Sequence, residues 1–289
     1  MQRQAARRPR RVTNRRRAEG RAESTNRRRA EGRAESTKMT PRIPANLRIN
    51  ADDFGLSPSI SRSIFRAAEE GLVNSTSVVP FRDPESLGFL AALVDIPDFR
   101  IGAHLTFIEV PLLTRPASFP DGSPPLDYRA FLAALLRGRI HAADVRTEWK
   151  AQLDLLRQRL GTTPLHHLDS HQHLHLLPNL WKITVELQRD YGITSVRRPY
   201  EGSLRAWLKS FPMGAGLQAL AASRPGAVQE RFVGAGTSMK FTAELHRRFA
   251  EEVIAQPHQP YELMVHVGED ERGQAEAHEL RRWLEYFRS

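Results

Sequence analysis

From Leu47 onward, short apolar stretches alternate with longer stretches of helical period, and this alternation limits the fold more than any other feature of the chain. Leu47–Ala51 suits a strand, with Asp52-Asp53-Phe54-Gly55 following it. Ser57-Pro58 then opens a helix, with Ser as the cap and Pro in the first turn. Its apolar residues Ile60, Ile64, Phe65 and Ala68 form one stripe, which stops near Gly71. Ser75–Pro80, Phe99–Leu105, Leu165–Ser170, Ser195–Arg197 and Tyr261–Val267 read as further strands. Helices are expected over Asp83–Val94, Leu126–Leu136, Val145–Leu160, Leu180–Tyr191, Thr242–Ala255 and Glu276–Phe287, with shorter pieces near Leu204–Leu208 and Gly216–Ser223. Residues 111–127, rich in Pro, Ser and Gly, read as a long loop. Such alternation predicts an α/β fold with a parallel sheet. The segment beyond Met39 has the length of one (β/α) barrel, about 250 residues. A doubly wound sheet would share the alternation, but no GxGxxG or GxxxxGK[ST] run occurs, which counts against a dinucleotide or P-loop fold.

Composition removes other classes. The 289 residues include no Cys, so disulfides, Cys-ligated zinc and iron–sulfur clusters are excluded. No uncharged apolar run approaches the ~20 residues of a membrane-spanning helix. The Arg-rich start lacks the apolar core of a secretory signal, so the cytoplasm is the expected compartment. Residues 1–38 hold 14 Arg and Lys against four acids, a surplus equal to the whole net charge of +10. The remaining 29 bases and 29 acids cancel. Within this tail NRRRAEGRAEST occurs twice, as Asn14–Thr25 and Asn26–Thr37. Two twelve-residue copies with almost no large apolar side chain cannot bury a core, so the tail is expected to be disordered. It could be a basic arm or a solvated extension, but the favoured expectation is that Met39 is the true start and that 39–289 form the catalytic domain. The neutral body and the lack of aromatics in the tail argue against nucleic acid as a partner.

The ionisable residues gather in one place. Asp52-Asp53, His104, His171, Arg197-Arg198 and His266 all lie at or just after the carboxyl ends of expected strands. In parallel α/β folds those ends form the face that carries the site. Taken singly, the two acids could cap the following helix, the histidines could be core residues and the arginines a surface pair. Taken together, that reading requires every strand end to be polar by accident. His171, His173 and His175 alternate, so an extended segment would present all three on one side, whereas Asp169-Ser170 before them and Pro178 after them suggest a tight turn. His166 and His167, at the start of their strand, are expected to be structural. One Asp and two His make a three-ligand cation site with open positions. A second carboxylate could then act as general base and an imidazole could protonate a leaving group, which suits hydrolysis of an amide or ester.

The segments INADDFGLSPSIS, IGAHLTF and HHLDSHQHLHLLP, in this order and spacing, resemble the YdjC/ChbG-like carbohydrate deacetylases. RRPYEG and YELMVHVG are similar to later blocks of that family, and RRPYEG is reminiscent of its hopanoid-biosynthesis branch. The resemblance implies a deformed (β/α) barrel related to polysaccharide deacetylases. It also implies metal-dependent removal of an acetyl group from an N-acetylated amino sugar or oligosaccharide. By position it makes Asp53, His104 and His171 the metal ligands and Asp52 the base. His266 becomes the acid or oxyanion partner, and Arg198 and His173 substrate contacts. The ion implied is Mg²⁺ or Zn²⁺, the partner is the sugar, and a homodimer is an assembly to be tested. One departure is His266-Val267, where the family often has His-Pro. Two other functions share the ligand set. A His/His/carboxylate site also suits an Fe(II) oxygenase, whose usual setting is a β-rich jelly roll. A non-catalytic metal-binding module would need only the ligands.

Overall fold

The computed structural model describes residues 43–119, 121, 123–124, 127–201, 213–224, 230–234, 241–244 and 246–287. The expectations for the basic tail and for a helical piece near Leu204–Leu208 lie outside these residues. Among these residues seven strands form one sheet: β1 Leu47–Phe54, β2 Ser75–Val78, β3 Arg100–Leu105, β4 His167–Ser170, β5 Ser195–Val196, β6 Arg231–Val233 and β7 Tyr261–Val265. Their order is β5-β4-β3-β2-β1-β7-β6, and every recorded pairing is parallel. The described helices are α1 Pro58–Glu69, α2 Pro84–Val94, α3 Tyr128–Leu136, α4 Ala142–Leu160, α5 Pro178–Asp190, α6 Met213–Ser223, α7 Arg247–Ala255 and α8 Glu271–Leu284. Parallel strands cannot be joined by tight hairpins, so helical crossovers between them follow from the topology. This is the expected α/β architecture, and not the jelly roll that the oxygenase reading would favour. Among the described residues no helix is long and apolar enough to cross a membrane.

Local chemistry sets the helix starts. Ser57 Oγ accepts from the Ile60 N–H at 3.2 Å, and Pro58 occupies the first turn of α1. Ser57, and not Asp52 or Asp53, is therefore the cap. Asp83, Asp127 and Asp270 cap α2, α3 and α8 in the same way. Such caps are each worth about 1 kcal/mol.

The strands obey a period of two with an unusual content. In β1, Leu47, Ile49 and Ala51 join the apolar core, while the intervening Arg48, Asn50 and Asp52 are equally buried. Tyr261, Leu263 and Val265 of β7 alternate with Glu262, and Ile101, Ala103 and Leu105 of β3 with Gly102 and His104. One face of the sheet thus packs on helices and the other gathers polar groups. Register aligns those groups: Arg48 lies beside Glu262, Asn50 beside Ser75, and His104 beside Asp169.

The sheet curls into a deformed barrel around this polar interior. Arg197, just beyond edge strand β5, donates to Asp52 of β1 and Glu262 of β7, and its guanidinium lies 5.8 Å from the ring centroid of Phe232 on β6, the opposite edge. A flat sheet of seven strands would hold its edges roughly 28 Å apart. Gly102 is required where the interior is tightest, because a Cβ there would stand 2.2 Å from His167 Nε2.

Two expected boundaries shift in ways that matter for the site. β1 runs through Asp52 and Asp53 to Phe54, with a register irregularity between Ala51 and Phe54 and a φ of 70° at Asp53. The kink lets both consecutive acids serve the interior, whereas a regular strand would send them to opposite faces. His171–Leu176 is a 3₁₀ turn with left-handed Gln172 and His173, so the three alternating histidines are not extended and do not share a face.

Candidate metal and catalytic site

Asp53 is the hub of the rim. Its Oδ1 lies 3.3 Å from His104 Nε2 and 3.0 Å from His171 Nδ1, and its Oδ2 lies 3.8 Å from His266 Nε2. These four residues come from β1, β3, the turn after β4 and the residue after β7. Burial pushes the Asp53 carboxyl up, but hydrogen bonds from His104 and His171, and their charge, outweigh it and hold the group well below the usual carboxylate range. Burial likewise opposes a charge on His104, yet Asp169 and Asp53 raise that imidazole to about 10.

Asp169 supports His104 from behind. His104 Nδ1 lies 2.5 Å from Asp169 Oδ1, while Oδ2 accepts from Ser77 Oγ at 2.7 Å and pairs with Arg197 Nη1 at 2.9 Å. Asp52 is 2% exposed. Its Oδ1 accepts from Asn50 Nδ2 and Arg197 Nη2, both at 2.7 Å, and its Oδ2 from Arg197 Nη1 at 2.7 Å. Arg197 also donates from Nε to Glu262 Oε1 at 2.7 Å, and Arg48 pairs with Glu262 and Glu230. Fully buried ions are tolerated only when paired and hydrogen-bonded in this way.

Among the described residues, two groups of three side chains bring their ligand atoms within 4.8 Å of one another: Asp53, His104 and His171, and Asp52, His104 and Asp169. The second group already holds a cation, the Arg197 guanidinium, and the His104 nitrogen on that side is bonded to Asp169. The first group is one carboxylate and two imidazoles, a donor set that fits a divalent cation with positions left open. The carboxylate behind His104 is the usual second support of a metal-binding imidazole.

The geometry therefore brings together Asp52, Asp53, His104, His171 and His266. His173 turns elsewhere: it is half-buried, its ring meets His175 edge-on at 6.1 Å, and its Nδ1 is buried without a hydrogen-bond partner. His175 is structural, held by Ser170 Oγ at 2.8 Å and the Arg197 carbonyl at 2.9 Å. Arg198 is half-buried, whereas its neighbour Arg197 is fully buried and sits among the acids. The sequence offers no signal that Arg197 is the member of the pair that pairs with the buried acids. Sequence reasoning treated Asp169 as a turn former, although strict alternation from Asp169 back to His167 places it on the polar face. Glu109, 3.0 Å from His171 Nε2, carried no signal at all.

Comparison with known proteins places the chain among relatives. A carbohydrate deacetylase of Halalkalibacterium halodurans is 29% identical over 209 residues, covering 70% of this chain and 78% of that protein. A mouse carbohydrate deacetylase is 34% identical over 179 residues, covering 59% of this chain and 56% of that protein, so the chain spans little more than half of the mammalian relative. A crystal structure from Enterococcus faecalis, provisionally described as a cellobiose-phosphate cleavage protein, has the same fold. It superposes with a TM-score of 0.56 at 22% identity, covering 84% of this chain and 90% of that one. The YdjC-like protein model matches residues 46–288, and the chain belongs to that family.

Proposed function

We propose that this chain is a divalent-metal-dependent hydrolase that removes the acetyl group from an N-acetylated amino sugar or oligosaccharide. The observation that carries the reading is the convergence of Asp53, His104 and His171 on one rim, with Asp52 buried behind it and His266 across from it. The family and the names of the relatives support the substrate class. Asp53, His104 and His171 would hold the ion, Zn²⁺ or Mg²⁺, and when bound it would polarise the acetyl carbonyl and make water more acidic.

The protein's own groups supply the proton transfers. Oδ1 of Asp52 already accepts two hydrogen bonds and Oδ2 one, so the lone pair left for a water proton is on Oδ2. The Arg197 fork fixes that carboxylate in one orientation, which is the condition for efficient general base catalysis. Water loses its proton to Asp52 as its oxygen bonds to the acetyl carbon. The carbon–nitrogen bond then breaks, the amine takes a proton from His266, and acetate and the free amino sugar leave. Arg198 is assigned to the sugar, whereas His173, turned toward His175, is left out of that role. The catalytic unit is 39–289, and the compartment is the cytoplasm.

The test is acetate release from N-acetylglucosamine and its oligomers by the purified chain. Release that stops on chelation and returns on adding Zn²⁺ or Mg²⁺ is the expected result. Absence of acetate from every N-acetylated sugar with metal-loaded protein would contradict the proposal.

A further inference from the structure

His171 is held from both sides. Its Nδ1 faces Asp53 Oδ1 at 3.0 Å, and its Nε2 faces Glu109 Oε2 at 3.0 Å. The second Glu109 oxygen accepts from Gln172 Nε2 at 2.5 Å. His104 is arranged alike, with Nδ1 on Asp169 and Nε2 toward Asp53. A neutral imidazole has one N–H and one lone pair. Where the outer carboxylate accepts the N–H, the lone pair must lie on the inner nitrogen. The inner nitrogen is Nε2 in His104 but Nδ1 in His171.

The loop that carries Glu109 is fixed from its other side by two buried polar residues of α4. Gln152 Oε1 accepts from the Thr106 N–H at 3.0 Å, and Gln152 Nε2 donates to the Thr106 carbonyl at 2.8 Å. Glu148 accepts from the Leu113 N–H at 2.9 Å and the Thr114 N–H at 2.8 Å. Glu148 is 0% exposed and Gln152 1%. A buried carboxylate or amide left without hydrogen-bond partners is strongly disfavoured. Gln152 Nε2 also donates to Glu148 Oε1 at 2.8 Å, so the two side chains complete their hydrogen bonds only when the loop stands where it does. Glu109 itself has a φ of 64°. Five described non-glycine residues have positive φ, and four of them, Asp53, Glu109, Gln172 and His173, belong to this rim. Backbone strain gathered at one place marks a site whose geometry is held on purpose.

We propose that Glu109 is a positioning residue: it accepts the Nε2–H of His171 and so turns Nδ1 toward Asp53 as the ligand atom. The inference rests on the metal-centre reading given under Proposed function. Its test is a Zn²⁺ competition titration against a chromophoric chelator, using the full chain, Glu109→Ala, Glu109→Gln, and His171→Ala as the reference for a lost ligand. The wild type is expected to bind one Zn²⁺ and Glu109→Ala to bind it roughly 10–100-fold more weakly. Glu109→Gln should recover most of that loss, because its amide oxygen still accepts from Nε2–H. A merely structural role would lower the metal-free melting temperature of Glu109→Ala without separating the Ala and Gln affinities. Equal Zn²⁺ affinity in the wild type and Glu109→Ala overturns the inference and leaves the metal centre standing. A wild type that binds no better than His171→Ala overturns both.

Discussion

Replacing Glu276 by Gln should remove a large alkaline loss of stability. Glu276 lies on α8 and is 2% exposed. Burial pushes its carboxyl up to about 8 from an ordinary 4.5, the His266 backbone N–H opposing and the Asp52 charge adding. Between those two values the folded chain keeps a proton that the unfolded chain has released. Stability therefore falls as pH rises from 4.5 to about 8 and is level beyond, the reverse of the behaviour of a salt-bridged carboxylate. At ~1.4 kcal/mol per unit, the decline is about 3 kcal/mol by pH 7 and about 5 kcal/mol in full. That is a large share of the ~5–15 kcal/mol by which a typical domain is folded. Gln has nearly the same shape and no proton to lose. Guanidinium unfolding of both proteins at pH 5.5, 7 and 9 isolates the effect, since titrating groups that do not interact with Glu276 cancel in the difference. The Gln variant should gain on the wild type by roughly 3–4 kcal/mol between pH 5.5 and 9. A difference that stays constant across that range would refute the reasoning.

Three more outcomes are expected. Gly102→Ala drives a methyl group into the His167 ring, which Ser77 holds at 2.9 Å, and should lower the unfolding free energy by at least ~1–3 kcal/mol in a denaturant titration. Arg197→Met leaves Asp52, Asp169 and Glu262 buried without their shared guanidinium, and the same titration should show a loss of ~3–5 kcal/mol. Asp52→Asn keeps the ligand set intact, so Zn²⁺ affinity should stay within a factor of a few while acetate release falls by roughly 10²–10⁴. Full turnover by that variant would remove Asp52 as the base.

What could be read from the sequence was whatever one strand or helix decides by itself. The alternation in LRINADDF, the Ser57-Pro58 start and the apolar stripe behind it are local signals, and β1 and α1 follow from them. Six of the seven strands were legible in this way. β6 was not, because Arg231–Val233 is three residues long and lies in a stretch without periodicity. The gathering of Asp53, His104, His171 and His266 was legible from topology alone, since parallel strands deliver their carboxyl ends to one rim. The supports behind them were not. That Arg197 reaches Asp52 depends on how far the sheet curls, and that Asp169 meets His104 depends on strand register, neither of which is written in a single segment. Likewise Asp169-Ser170 and Pro178 point to a turn in the histidine run, but nothing local announces that Gln172 and His173 turn left-handed. Arg48, Asn50, Ser75 and Ser77 would pass for solvent-facing positions on any strand, yet they fill the barrel interior.

Anomalous diffraction from crystals of the chain grown with Zn²⁺ tests the central claim most directly. One peak about 2 Å from a carboxylate oxygen of Asp53 and from ring nitrogens of His104 and His171 is the expected result. A peak bound instead between Asp52 and Asp169, or none at the rim of a crystal holding Zn²⁺ elsewhere, would contradict the account.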